Sequence, residues 1–121
     1  MRRESNDASH IWDMIQAARG IHASVIRSSS EEFVRDEDFR LAIERRFEVL
    51  GEAARRVSDA LREQHPEIPW RGIIAQRNML IHQYDDVDDQ LLWTVATKQI
   101  PELLSLLEAI KFGFQPPENI P

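Results

Sequence analysis

The chain has 121 residues, 42% hydrophobic and 30% charged, with a formal net charge of −6 and no cysteine. That length suits one domain with one core, and the composition is too apolar for a disordered segment. Disulfides and thiolate metal sites are excluded. The negative charge argues against a general nucleic-acid coat protein, whose affinity comes from many Lys and Arg contacts, so any polyanion has to meet a local patch.

No apolar run approaches the roughly 20 residues that span a bilayer. Met1-Arg2-Arg3 is followed by polar Glu4-Ser5-Asn6-Asp7 rather than the apolar region of a signal peptide. A cytoplasmic protein with no membrane partner is expected. Among the 15 basic residues only Lys98 and Lys111 are lysine. Arginine suits bidentate phosphate contacts, although a genomic bias toward arginine accounts for the same count.

Four long segments show helical periodicity and none sustains a period of two, so the pattern predicts an all-α antiparallel bundle of four to five helices. In the first, Asp7 or Ser9 is a candidate cap for a helix whose apolar side is Ile11, Met14, Ile15, Ala18, Ile21 and Val25. Three serines at 28–30 favour its end. Ser30-Glu31-Glu32-Phe33 reads as one capped turn.

The longest helix is expected from about Asp36 to Gln64, on the stripe Phe39, Ile43, Phe47, Leu50, Ala54, Val57 and Leu61. Gly51 in its middle costs about 1 kcal/mol against alanine, which points to close approach of another helix. Pro66 and Pro69 stop it. A third helix is expected from near Trp70, with Pro69 at its first position, to about His82.

Asp85-Asp86 reads as a turn and N-cap, with Asp86, Asp88 and Asp89 at the positive end of the next helix. That fourth helix carries Val87, Leu91, Val95, Ile100, Leu103, Leu107 and Ile110, with Pro101 as a kink. The boundaries are one helical domain over 1–112 and an extended or disordered tail over 113–121, which has three prolines in its last six residues.

The reactive side chains gather in Arg77-Asn78-Met79-Leu80-Ile81-His82-Gln83-Tyr84, which holds the chain's only tyrosine. On a helical wheel Ile73, Ile74, Leu80 and Ile81 share one arc and Arg77 falls in its middle. A guanidinium there has to meet an acid, a ligand or solvent; Glu48 or Glu52 of the second helix would suit a structural ion pair. His82 lies about 140° from Arg77 around an ideal helix. Either the helix unwinds near His82, or a second chain brings its own helix alongside so that the residues converge across a twofold axis.

His82 can be a helix-end dipole partner or a proton-transfer group. The set suits metal-free RNA cleavage: a neutral histidine takes the 2′-hydroxyl proton, arginine stabilises charge on the phosphorane and a second, protonated histidine serves the leaving oxygen. No cofactor is called for. Tyr84 can bury its ring at a helix end with its hydroxyl wet, or offer that hydroxyl to a partner enzyme. His10, His22 and His65 stand alone and read as surface or packing histidines.

The spacing Arg77, four residues, His82, one residue, Tyr84, with polar Asn78 after the arginine, resembles the HEPN superfamily and in particular HepT-like toxins of HepT/MntA toxin-antitoxin systems. The segments Ala42 to Ala54 and His65-Pro66-Glu67-Ile68-Pro69-Trp70 are similar to that family's second helix and the approach to its third. The resemblance implies a dimerising helical bundle and a homodimer-interface ribonuclease cleft with Arg77 and His82 catalytic and Asn78 binding or orienting RNA. It also implies an MntA-like minimal nucleotidyltransferase antitoxin that transfers AMP to Tyr84. A different class of function is a non-catalytic helical partner that binds nucleotide or is mainly the substrate of that transferase; a third is a dimerisation module in which Arg77 is only a buried ion pair.

Overall fold

The computed structural model describes residues 3–82 and 87–110, and among them every regular element is helical. The order is α1 (Arg3–Val25), α2 (Ser30–Arg35), α3 (Glu37–Arg56), α4 (Asp59–Gln64), α5 (Trp70–His82), α6 (Asp89–Thr94) and α7 (Ile100–Glu108), with a π-helical turn, Val95–Gln99, joining α6 to α7. Counting α6 to α7 as one interrupted helix leaves six, more than the four to five anticipated, because two short capped helices punctuate the connections. The expectations for Asp85-Asp86 and for the tail from 113 lie outside the described residues.

The core follows the predicted stripes. Ile11, Met14, Ile15, Ala18, Ile21 and Val25 of α1 are all buried, as are Ile43, Phe47, Leu50 and Ala54 of α3. α1 packs on α3 and α7, while among the described residues α5 packs on α3 and on no other helix to a comparable extent. α5 is thus held from one side.

Several boundaries differ from the sequence reading. α1 starts before Asp7, so neither Asp7 nor Ser9 caps it. Asp7 is instead buried, its Oδ1 accepting from the Ser58 N–H at 2.9 Å and its Oδ2 from the Ser58 hydroxyl at 2.6 Å. Ser58 is the N-cap of α4, its hydroxyl accepting from Leu61 N–H at 3.2 Å. This cap breaks the expected 36–64 helix at Val57, which turns extended while staying buried.

Pro69 sits at the cap rather than the first helical position: its carbonyl accepts from Ile73 N–H at 3.1 Å. Asp88 caps α6, accepting from Leu91 N–H. Leu91, assigned to the apolar stripe, is 55% exposed, and Leu92 is buried in its place. Pro101 falls in the first turn of α7 directly after the π turn. A proline there has no N–H and its ring crowds the carbonyl four residues back, which a widened turn accommodates.

Gly51 is buried where α3 meets α5, and a Cβ built on it would lie 2.2 Å from Arg77 Cβ, 2.9 Å from Arg77 Cγ and 3.1 Å from the Ile73 carbonyl oxygen. The neighbours are stem and backbone, which cannot swing away. Gly72 in α5 has nothing within 4 Å of the same position. The two glycines therefore answer alanine with opposite signs. Gly51→Ala gains about 1 kcal/mol of helix propensity but loses more to overpacking, about 1–3 kcal/mol, whereas Gly72→Ala stabilises by roughly 0.5–1 kcal/mol. Urea-unfolding midpoints of the two variants check both signs.

Candidate active site

Arg77 lies on the α3-facing side of α5, as its place in the apolar arc predicts, with its side chain 22% exposed. Its Nη2 stands 2.9 Å from Glu52 Oε1, a close charge contact whose angles leave Oε1 without an aligned hydrogen-bond donor. Glu52 is thus the acid that the sequence asked for, of the two weighed. Arg77 Nη1 donates to Asn78 Oδ1 at 2.8 Å, and Nε is buried without an acceptor. A guanidinium has five N–H donors, so donors on the two terminal nitrogens remain for an incoming oxyanion.

Glu52 gathers more than one cation. Its Oε2 lies 3.1 Å from Arg55 Nη2 and 3.0 Å from Arg56 Nη2. Hydrogen bonding from Arg55 above all, with Arg56 and the charge of Arg77 adding, holds this carboxyl below its ordinary value of 4.5 against partial desolvation. Glu52 remains ionised at neutral pH.

Above this contact opens a cleft of about 400 Å³ between α1, α3 and α5, within the range of small-ligand sites. Arg45, Arg56 and Arg77 line it beside Asp13, Glu48 and Glu52, and His10 and Ile81 complete its chemistry. The three guanidiniums and three carboxylates balance formally. Ile81, placed on the core-facing arc by the wheel, is 39% exposed because it forms part of this cleft.

The remaining predicted residues distribute unevenly. Asn78 is exposed and orients Arg77, and His82 is exposed as the last residue of α5. α5 stays helical through His82, so the helix does not unwind to bring Arg77 and His82 together; His82 does not line the Arg77 cleft. Tyr84 lies outside the described residues. His10, read as an isolated surface or packing histidine, is half-buried in the cleft wall. Only its helical register with Asp13, three residues on, hinted that both share one face.

Among the described residues no three His, Asp or Glu side chains converge as metal ligands, and no helix is long and apolar enough to cross a membrane. Glu44, whose carboxyl is pushed up by burial and then by Asp89 and Glu48, is the other perturbed acid of α3. It lies outside the cleft lining.

The Ribonuclease HepT-like family model matches residues 9–110. A Thermococcus cleftensis protein named "Probable ribonuclease HepT" is 32% identical over 92% of this chain and 99% of its own. A Methanocaldococcus jannaschii protein named "Putative RNase" is 38% identical over 83% of each chain, and another of that name from Caldanaerobacter subterraneus is 36% identical over 74% of each. No solved structure matches. The chain belongs to the HepT-like ribonuclease family.

The depressed Glu52 carboxyl gives the site a definite acid response. Its ion pairs contribute fully above pH 4.5 and are lost as pH falls through the lowered folded value. Glu52→Gln should therefore lower the urea midpoint at pH 7 and flatten the wild-type loss of stability as pH falls below 4.5; a variant that tracks wild type there would remove Glu52 from this role.

Proposed function

We propose that this protein is the toxin component of a toxin–antitoxin pair, a metal-independent endoribonuclease that acts as a homodimer. RNA binds with its scissile phosphate on Arg77, whose head Asn78 orients. His82 takes the 2′-hydroxyl proton, the 2′-oxygen attacks phosphorus and Arg77 stabilises the charge that builds on the phosphorane. The observation that carries this reading is Arg77 itself: a guanidinium fixed between Glu52 and Asn78, with free donors at the wall of a cleft, in a chain of a ribonuclease family.

Helix geometry supports the homodimer. With α5 regular to its last residue, one copy aims Arg77 and His82 about 140° apart, and a twofold axis supplies the missing imidazole from a second copy. Tyr84, the chain's only tyrosine, is the acceptor for AMP from an MntA-like minimal nucleotidyltransferase. A bulky anion two residues from His82 blocks the cleft and repels RNA.

The Arg77–Glu52 contact also fits an ion pair that only holds α5 on α3, and variants separate the two. Purified protein in EDTA should cleave transfer or messenger RNA, with Arg77→Ala and His82→Ala each slower by about 10²–10⁴-fold while their circular dichroism and unfolding midpoints show a folded bundle. Cleavage by folded variants at the wild-type rate would leave Arg77 structural. For the partner, incubation with the transferase and ATP should add AMP masses to wild type and none to Tyr84→Phe, read by intact-mass spectrometry; adducts on the phenylalanine variant would move the acceptor elsewhere.

A further inference from the structure

We propose that His10 is a catalytic residue of this reaction, the proton donor to the leaving 5′-oxygen, and that it comes from the same subunit as Arg77. The assignment rests on the ribonuclease reading above. Two proton-transfer groups are needed, one for the attacking 2′-hydroxyl and one for the leaving oxygen. Of the chain's histidines, His10 shares the Arg77 cleft and His82 does not.

His10 is half-buried in α1 and lines the cleft together with Arg77. The groups facing it across the cleft are Asp13 on its own helix, Arg45, Glu48, Glu52 and Arg56 on α3 and Arg77 on α5.

The step balances with these groups. The 2′-hydroxyl proton passes to His82 of a second copy as the O2′–P bond forms. The P–O5′ bond breaks and O5′ takes the proton of the His10 imidazolium, giving a 2′,3′-cyclic phosphate and a 5′-hydroxyl. Water returns the two histidines to their starting states. Each complete site then contains His10 and Arg77 from one subunit and His82 from the other.

A leaving group that needs no proton separates this role from a structural one. On a short RNA, His10→Ala and His10→Gln should be about 10²–10⁴-fold slower than wild type, while on uridine 3′-(4-nitrophenyl phosphate) they should lose less than about 10-fold. His82→Ala should be slow on both. Equal losses on the two esters, or no loss on RNA, would overturn the assignment; wild type inert on both would take the ribonuclease reading down with it. Mixing His10→Ala with His82→Ala chains should restore about a quarter of wild-type activity, because half the dimers are mixed and each has one intact site. No recovery after subunit exchange would place both histidines in one subunit and refute the arrangement.

Discussion

The approach of α5 to α3 at Gly51 is the constraint on which the site depends. Among the described residues α5 has one substantial helical neighbour, and its position follows what that face allows. A side chain at 51 would occupy the space of the Arg77 stem, and moving the stem outward would draw the guanidinium off Glu52. The missing Cβ and the acid that follows it in sequence thus act together: the glycine fixes how close the arginine comes and Glu52 fixes where its head points. An arginine held this way loses little further rotamer freedom when it meets a phosphate, which is the advantage of a preorganised charge.

The surroundings of Arg77 are charge-balanced rather than basic. Arg45 is 3.2 Å from Glu48, and Glu52 takes up Arg55 and Arg56 as well as Arg77. A phosphate entering this cleft gains less Coulomb energy than on a bare basic patch, and a chain of net charge −6 does little to steer polyanions from a distance. Affinity then has to come from aligned hydrogen bonds and shape, which favours a single well-placed phosphodiester over generic contact with the backbone of RNA.

Periodicity alone revealed most of the core, because burial in α1 and α3 is a one-dimensional pattern written at helical spacing. The same logic placed Arg77 against an acid of α3 and attributed Gly51 to a close approach. It failed where the deciding contact is remote. Ser58, which caps α4 locally, is also held at its N–H and hydroxyl by Asp7, 51 residues earlier, and the shift from Leu91 to Leu92 on the buried side has no counterpart in the wheel, which put Leu91 inside. The place of His10 in the cleft is hidden from the sequence for the same reason, because the arginines that share the cleft with it belong to other helices.

Asp7 and His10 are three residues apart on α1, hence on neighbouring positions of one face. Asp7 is anchored at Ser58, two residues beyond Arg56 of the cleft wall. The buried carboxylate therefore fixes the N-terminal half of α1 over the end of α3 that carries Glu52 and Arg56, and with it the imidazole one turn further on. Losing an acceptor that satisfies both a backbone N–H and a hydroxyl leaves two polar groups to find water in a part-buried corner, at a cost of about 1–3 kcal/mol. The cleft is thus braced from two directions, by α5 seated on Gly51 through the Arg77 stem and by α1 tied to Ser58 through Asp7.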